Sequence, residues 1–201
     1  MGRDELLDSL RARIADQRVV GAIAAVPREL FVAPSLRAAA YVDAPLRIGG
    51  GQTISQPTVV ARMCELLELS ATDRVLDVGS GSGYHAAVLS RLCARVYGDE
   101  LDRRLAARAV RALDAAGIDN VTIEVGDGTL GLAARAPFDA INVAATAKGE
   151  VPAALEQQLA AGGRLVTPLA HGDAEHLVLV RRRSDGFERH VLEPVRFVPL
   201  R

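Results

Sequence analysis

The stretch VLDVGSGSGY, Val75 to Tyr84, constrains the fold of this chain more than any other. Val75 to Val78 is a short apolar run with β-branched residues, stopped by glycine, which is how a strand covered on both faces of a parallel sheet reads. The turn Gly79-Ser80-Gly81-Ser82-Gly83 lets the backbone approach a ligand closely, and Tyr84 to Leu92 restarts as a helix. A glycine turn of this kind is by itself no more than a tight turn, so its neighbours must decide what it holds.

The order of the other elements supports a parallel sheet. A helix fits Pro57 to Leu69, with Val59, Val60, Met63, Leu66 and Leu67 on one face and proline near the start. Arg95 to Gly98 reads as a second strand ending in Asp99-Glu100, followed by a helix from Leu101 to about Ala116 that Gly117 terminates. Val121 to Val125 is a third strand and Phe138 to Ala144 a fourth; Val151-Pro152 then opens a helix that Ala161-Gly162-Gly163 closes. Arg164 to Leu169, His176 to Arg183 and Phe187 to Val198 are strand candidates, the last two joined by Ser184-Asp185-Gly186 as an antiparallel hairpin. The fold class is therefore α/β, a doubly wound and mostly parallel sheet with an antiparallel C-terminal hairpin. Residues 1–56, helical and then irregular, are expected to form a cap over the sheet, and residues 57–201 one compact core that includes the hairpin.

Composition excludes several classes of partner. Among 201 residues, 49% are hydrophobic and 24% charged, enough for a full core in one domain. A formal charge of -1 gives no basic field for nucleic acid, and Arg181-Arg182-Arg183 before a turn reads as a solvated hairpin edge. The opening MGRDELLDSL has acids and no long apolar run, so neither a signal peptide nor a membrane span is expected. The expectation is a cytoplasmic monomer. Cys64 and Cys93 lie in apolar helical patterns and read as packing thiols, while His171, His176 and His190 lack ligand spacing, so no metal is expected.

The acids select the ligand. The dinucleotide fingerprint is GxGxxG with room for a pyrophosphate, whereas this turn is GxGxG directly after Asp77-Val78. An acid beside the turn repels a pyrophosphate and attracts an ammonium, which favours S-adenosylmethionine over a nicotinamide cofactor. Gly79, Ser80, Gly81 and Gly83 would form the cradle. Glu100, 21 residues after Gly79, is spaced to take the ribose hydroxyls, with Asp99 as its rival. Asp127 is placed to meet the adenine amine, and Gly128 leaves its backbone N–H accessible. Three acids at three successive strand ends face one crevice.

Five segments then carry a resemblance: VPRELFV (Val26 to Val32), GGGQTISQP (Gly49 to Pro57), VLDVGSGSGYHAAVL (Val75 to Leu89), VGDG (Val125 to Gly128) and VRFVPL (Val195 to Leu200). From about residue 4 onward the chain resembles the protein-L-isoaspartate O-methyltransferases. The resemblance implies methyl transfer from S-adenosylmethionine to the α-carboxylate of an isoaspartyl residue in damaged proteins and peptides, with the ester closing to a succinimide. In that family the serine of the T-I-S segment, here Ser55, lies beside the methyl group and the substrate carboxylate; spacing alone favours a helix cap before Pro57, and the resemblance reverses that order. Thr53 is a second hydroxyl on that loop, a substrate contact or a turn former, and Val195 to Leu200 is in the family a strand near the peptide. The chain departs from the family's usual text at His85, Gly98-Asp99, Thr146 and Ala170. His85 is expected at a helix start, facing solvent or cofactor. Three other readings use the same scaffold: methylation of an aspartyl carboxylate in one dedicated peptide, a nicotinamide-binding oxidoreductase, and a cofactor-binding module without activity.

Overall fold

The computed structural model describes residues 1–172 and 174–200. Two helices, α1 (Arg3–Arg13) and α2 (Gln17–Ala25), lead into two short 3₁₀ turns and a small hairpin of β1 (Leu46–Gly49) and β2 (Gln52–Ile54). That hairpin is the one element of the first 56 residues with no expectation behind it. Gly49, Gly50 and Gly51 all take positive φ, which lets two strands of only four and three residues reverse.

The main sheet follows: α3 (Pro57–Leu66), β3 (Arg74–Val78), α4 (Tyr84–Leu89), β4 (Arg95–Glu100), α5 (Arg103–Ala115), β5 (Val121–Val125), β6 (Phe138–Val143), β7 (Ala147–Lys148), α6 (Ala153–Gln157), β8 (Leu159–His171), β9 (Ala174–Arg183) and β10 (Gly186–Pro194). Strand order is β10-β9-β8-β6-β3-β4-β5, with β7 pairing off β8. The pairs among β5, β4, β3, β6 and β8 are parallel, and β8-β9 and β9-β10 are antiparallel. Because the chain leaves β3 toward β4 on one side and returns to β6 on the other, β3 sits at the switch point of the topology, where ligands of such sheets bind.

The period of two along β3 splits the core. Val75 packs with Leu6, Leu10, Ile23 and Val96 on one face, and Leu76 and Val78 pack with Phe138, Ile141 and Leu165 on the other. The N-terminal helices thus share a core with the sheet. Helix α5 buries Leu105, Ala106, Ala109 and Leu113, and Asp102 caps it by accepting from the backbone N–H of Arg104 at 2.7 Å and Leu105 at 3.3 Å.

Helices α3 and α4 each end three residues before the expected Leu69 and Leu92, and two further boundaries move for identifiable reasons. Helix α6 ends at Gln157, and Ala161-Gly162-Gly163, expected to close it, lies inside β8. Gly162 has φ +75°, a Cβ on Gly163 would meet the Ala160 carbonyl at 2.8 Å, and the β6–β8 register slips here, so these glycines build a bulge. Strand β10 ends at Pro194, not Val198. Val195 to Leu200 does not continue that strand: it is bridged to Thr146, with Thr146 N–H donating to the Val198 carbonyl and Leu200 N–H to that of Thr146, and Val195 and Phe197 N–H donate to the carbonyl and carboxylate of Glu175. Pro194 and Pro199 lack the donors a continued ladder needs.

Candidate active site

The glycine turn leaves the carboxyl end of β3 and is held by backbone donors. Gly79 and Ser80 N–H both donate to the Asp99 carbonyl, at 2.8 and 3.1 Å. Gly81 N–H donates to one Glu100 carboxyl oxygen at 2.8 Å, and Asp102 N–H to the other at 2.9 Å. Glu100 therefore ties the turn to the start of α5. Gly79, Gly81 and Gly83 have φ of +75°, +55° and +84°, a shape that residues with a Cβ rarely adopt.

A cleft opens over this turn. It brings together Thr53, Gly79, Gly81, Glu100 and Gly128 from the expected set, with Asp99, Leu101, Ala144, Val198 and Leu200 around them. A Cβ on Gly128 would lie 2.5 Å from Val78 Cγ1, so only glycine lets the backbone reach this wall. Ser80 lines a smaller hollow beside the turn together with Ser55. Gly83 lies behind, where a Cβ would come within 3.0 Å of Ala109, and serves helix packing.

Two acids stand elsewhere than expected. Asp127 is exposed and outside the cleft lining; its carboxylate accepts from the N–H and hydroxyl of Thr129, which holds its pKa below the ordinary value. Asp77 does not present its carboxylate to the cleft. It is fully buried, accepts from Asn142 Nδ2 at 2.6 Å, and burial pushes its pKa up to about 6. Asn142 Nδ2 also lies 3.1 Å from His85 Nδ1, and His85 Nε2 lies 3.4 Å from Cys64 Sγ. His85 is thus inside, not facing solvent or cofactor, and burial drives its pKa down to about 3, which keeps the ring neutral. A polar Asn142 in the apolar run FDAINVA was the sequence signal for this network.

Asp99 is buried, lines the cleft, and neither carboxyl oxygen has a hydrogen-bond partner. Burial, and then the charges of Asp127, Glu100 and Glu124, push its pKa up to about 6. Among the described residues the cleft wall thus carries two acids and no lysine or arginine. A pyrophosphate would meet only like charge there, whereas hydroxyls, amines and a sulfonium would meet acceptors.

On the far side of Thr53, Ala144 and Val198, which line both spaces, a cavity of about 300 Å³ is bounded by Ser55, Gln56, Val59, Phe197 and Arg196. Ser55 does not cap α3. Asp43 takes that task, accepting from Thr58 N–H at 2.9 Å and from its hydroxyl at 2.6 Å. Among the described residues the Ser55 hydroxyl has no partner, while its carbonyl accepts from buried Arg28 at 2.7 Å.

A doubly wound sheet whose switch point carries a glycine turn and acids has the architecture of a class I S-adenosylmethionine-dependent methyltransferase. Comparison with known proteins takes this further. The profile of the protein-L-isoaspartate(D-aspartate) O-methyltransferase family matches residues 1–201, and the chain belongs to that family. It is 52% identical over 199 residues to the protein-L-isoaspartate O-methyltransferase of Roseiflexus castenholzii, covering 98% of this chain and 91% of that protein. A solved protein-L-isoaspartate O-methyltransferase superposes with a TM-score of 0.88 at 29% identity, over 98% of this chain and 65% of that one. A Plasmodium falciparum structure of the same description, in complex with S-adenosyl-L-homocysteine, gives 0.85 at 26% identity over 100% and 99%.

Proposed function

We propose that the protein methylates the α-carboxylate of L-isoaspartyl residues in damaged proteins and peptides, using S-adenosylmethionine. The observation that carries this is family membership along the whole chain, joined to a serine hydroxyl, without a partner among the described residues, that lines both the second cavity and the hollow beside the glycine turn. When bound, S-adenosylmethionine supplies the methyl group: a substrate carboxylate oxygen bonds to the methyl carbon, the carbon–sulfur bond breaks, and the sulfur keeps the electron pair. A carboxylate with a pKa of about 4 is already ionised at neutral pH, so the chain needs no general base.

Its residues instead position and exclude water. Gly79, Ser80, Gly81 and Gly128 offer backbone at the cleft, with Gly83 setting the angle of α4; Glu100 and Asp99 offer acceptors for the ribose. Asp127 would have to leave Thr129 to meet an adenine amine. Asp77, held by Asn142, sets the charge beneath the turn. Ser55 donates to the substrate carboxylate and Thr53 borders it, while residues 1–56 act as a cap over the site. Among the described residues no helix is long and apolar enough to cross a membrane, and both cysteines are free. Our reading is a monomer acting in the cytoplasm on protein substrates.

Labelled methyl transfer to a matched pair of isoaspartyl and aspartyl peptides tests the reading. Labelling of the isoaspartyl peptide alone is expected. Binding of S-adenosyl-L-homocysteine with neither peptide labelled would refute generic repair and leave methylation of one dedicated peptide.

A further inference from the structure

We propose that Arg28 is the fixed positive charge that makes the Ser55 cavity select an ionised carboxylate over the neutral carboxamide of the same shape. This rests on the isoaspartyl reading above and adds the group that recognises the charge of the reacting oxygen.

Arg28 is 0% exposed and among the largest fully buried side chains of the described residues. Its Nε donates to the Ala40 carbonyl at 2.8 Å and one terminal nitrogen to the Ser55 carbonyl at 2.7 Å. The guanidinium lies over the Tyr84 ring, 4.5 Å from its centroid. The other terminal nitrogen, Nη1, has no partner, and no carboxylate among the described residues pairs with this cation. Asp43, an acid close enough to influence it, already serves Thr58. A guanidinium stays charged on burial, so an unpaired cation stands behind Ser55, outside the cavity lining; Arg196, the cation that does line the cavity, is exposed, and water screens it.

Burying a charge without a counter-ion is costly, and structures keep one where a partner arrives. The partner here is the substrate. An anion that accepts from the Ser55 hydroxyl sits one residue's width from the guanidinium bound to the same residue's carbonyl. At the effective dielectric of such a site, opposite unit charges about 7 Å apart favour the anion by tens of fold, and partial screening leaves about tenfold. Arg28 also tethers the Ser55 loop, so its role is to position and to polarise; it does not touch the reacting atoms.

The test is calorimetric binding, in the presence of S-adenosyl-L-homocysteine, of an isoaspartyl peptide and its α-carboxamide analogue to the wild type, Arg28→Met, Arg28→Gln and Arg28→Lys. The wild type should prefer the carboxylate by about tenfold or more. In Arg28→Met the carboxylate-to-carboxamide ratio should fall toward one, whatever the loss of the Ser55 tether does to both peptides alike, while affinity for S-adenosyl-L-homocysteine holds; Arg28→Lys should restore part of the ratio. Should Arg28→Met not fold, Arg28→Gln decides by the same ratio. A wild-type ratio near one, or an undiminished ratio in a folded neutral variant, overturns the proposal. A wild type that binds S-adenosyl-L-homocysteine but neither peptide overturns the isoaspartyl reading and this assignment with it.

Discussion

Asp99→Asn should stabilise the ligand-free protein at neutral pH. The carboxyl is buried with both oxygens unpartnered, and its pKa rises from an ordinary 3.8 to about 6. At about 1.4 kcal/mol per pKa unit, keeping it ionised costs the folded state about 3 kcal/mol. A raised acid means the folded form holds its proton more tightly than the unfolded chain. The cost is therefore absent below the unfolded value, grows as pH rises from there to about 6, and is complete above it. Asn removes the charge but leaves an unpartnered amide costing about 1 kcal/mol, so the net gain is about 2 kcal/mol, or about 4 to 8 °C in Tm for a chain of this size. The protein has no tryptophan, so unfolding is best followed by circular dichroism or calorimetry. The gain should be lost in acid near pH 4, where the wild-type carboxyl is itself protonated and only the cost of the amide remains, so that the variant melts no higher than wild type. A variant that melts no higher than wild type at neutral pH, or that gains equally at both pH values, would refute the reasoning. Asp77, also raised to about 6, tilts the wild-type profile in the same direction and should leave a smaller slope in the variant.

Ser55→Ala should lower kcat on an isoaspartyl peptide by roughly 10- to 100-fold, with affinity for S-adenosyl-L-homocysteine unchanged; equal losses in both would make Ser55 a structural residue. Gly128→Ala puts a Cβ 2.5 Å from Val78 Cγ1 and should weaken S-adenosyl-L-homocysteine at least about tenfold by calorimetry, since the cleft wall must shift. Asp43→Ala removes the acceptor for Thr58 and should cost about 1 kcal/mol, read as a Tm lower by about 2 to 4 °C; an unchanged Tm would show that α3 does not need this cap.

The parallel half of the sheet was legible in the sequence because apolar runs such as Val75 to Val78 and Val121 to Val125 end at glycine, and a strand buried on both faces needs no other signal. The C-terminal segments were harder. Ala161-Gly162-Gly163 carries the same residues as a helix-terminating turn, and only pairing with β6 shows that it is a bulge. The Ser55 ambiguity had a similar origin: the cap of α3 comes from Asp43, 15 residues away from Thr58 in sequence, and local spacing cannot report it. Arg28 was legible as part of a family segment but not as a buried cation, since burial of a charge depends on Tyr84, Ala40 and Ser55 converging on it.

The charges of the site divide along a line that matches the chemistry proposed for it. Acids Asp99 and Glu100 wall the cofactor side, the cation Arg28 stands behind Ser55, and Thr53, Ala144 and Val198 lie between. A sulfonium would meet negative potential and a carboxylate positive potential, so fixed charges would draw the two reactants to opposite ends of one passage. Methyl transfer then destroys both ligand charges, leaving a thioether and an ester. Fixed charges of this kind favour reactants over the less polar transition state, so they cannot themselves supply the rate acceleration. That must come from alignment, which is the task the Ser55 loop and the glycine turn are built to perform, and the charges contribute by loading the site and by losing their hold on both products.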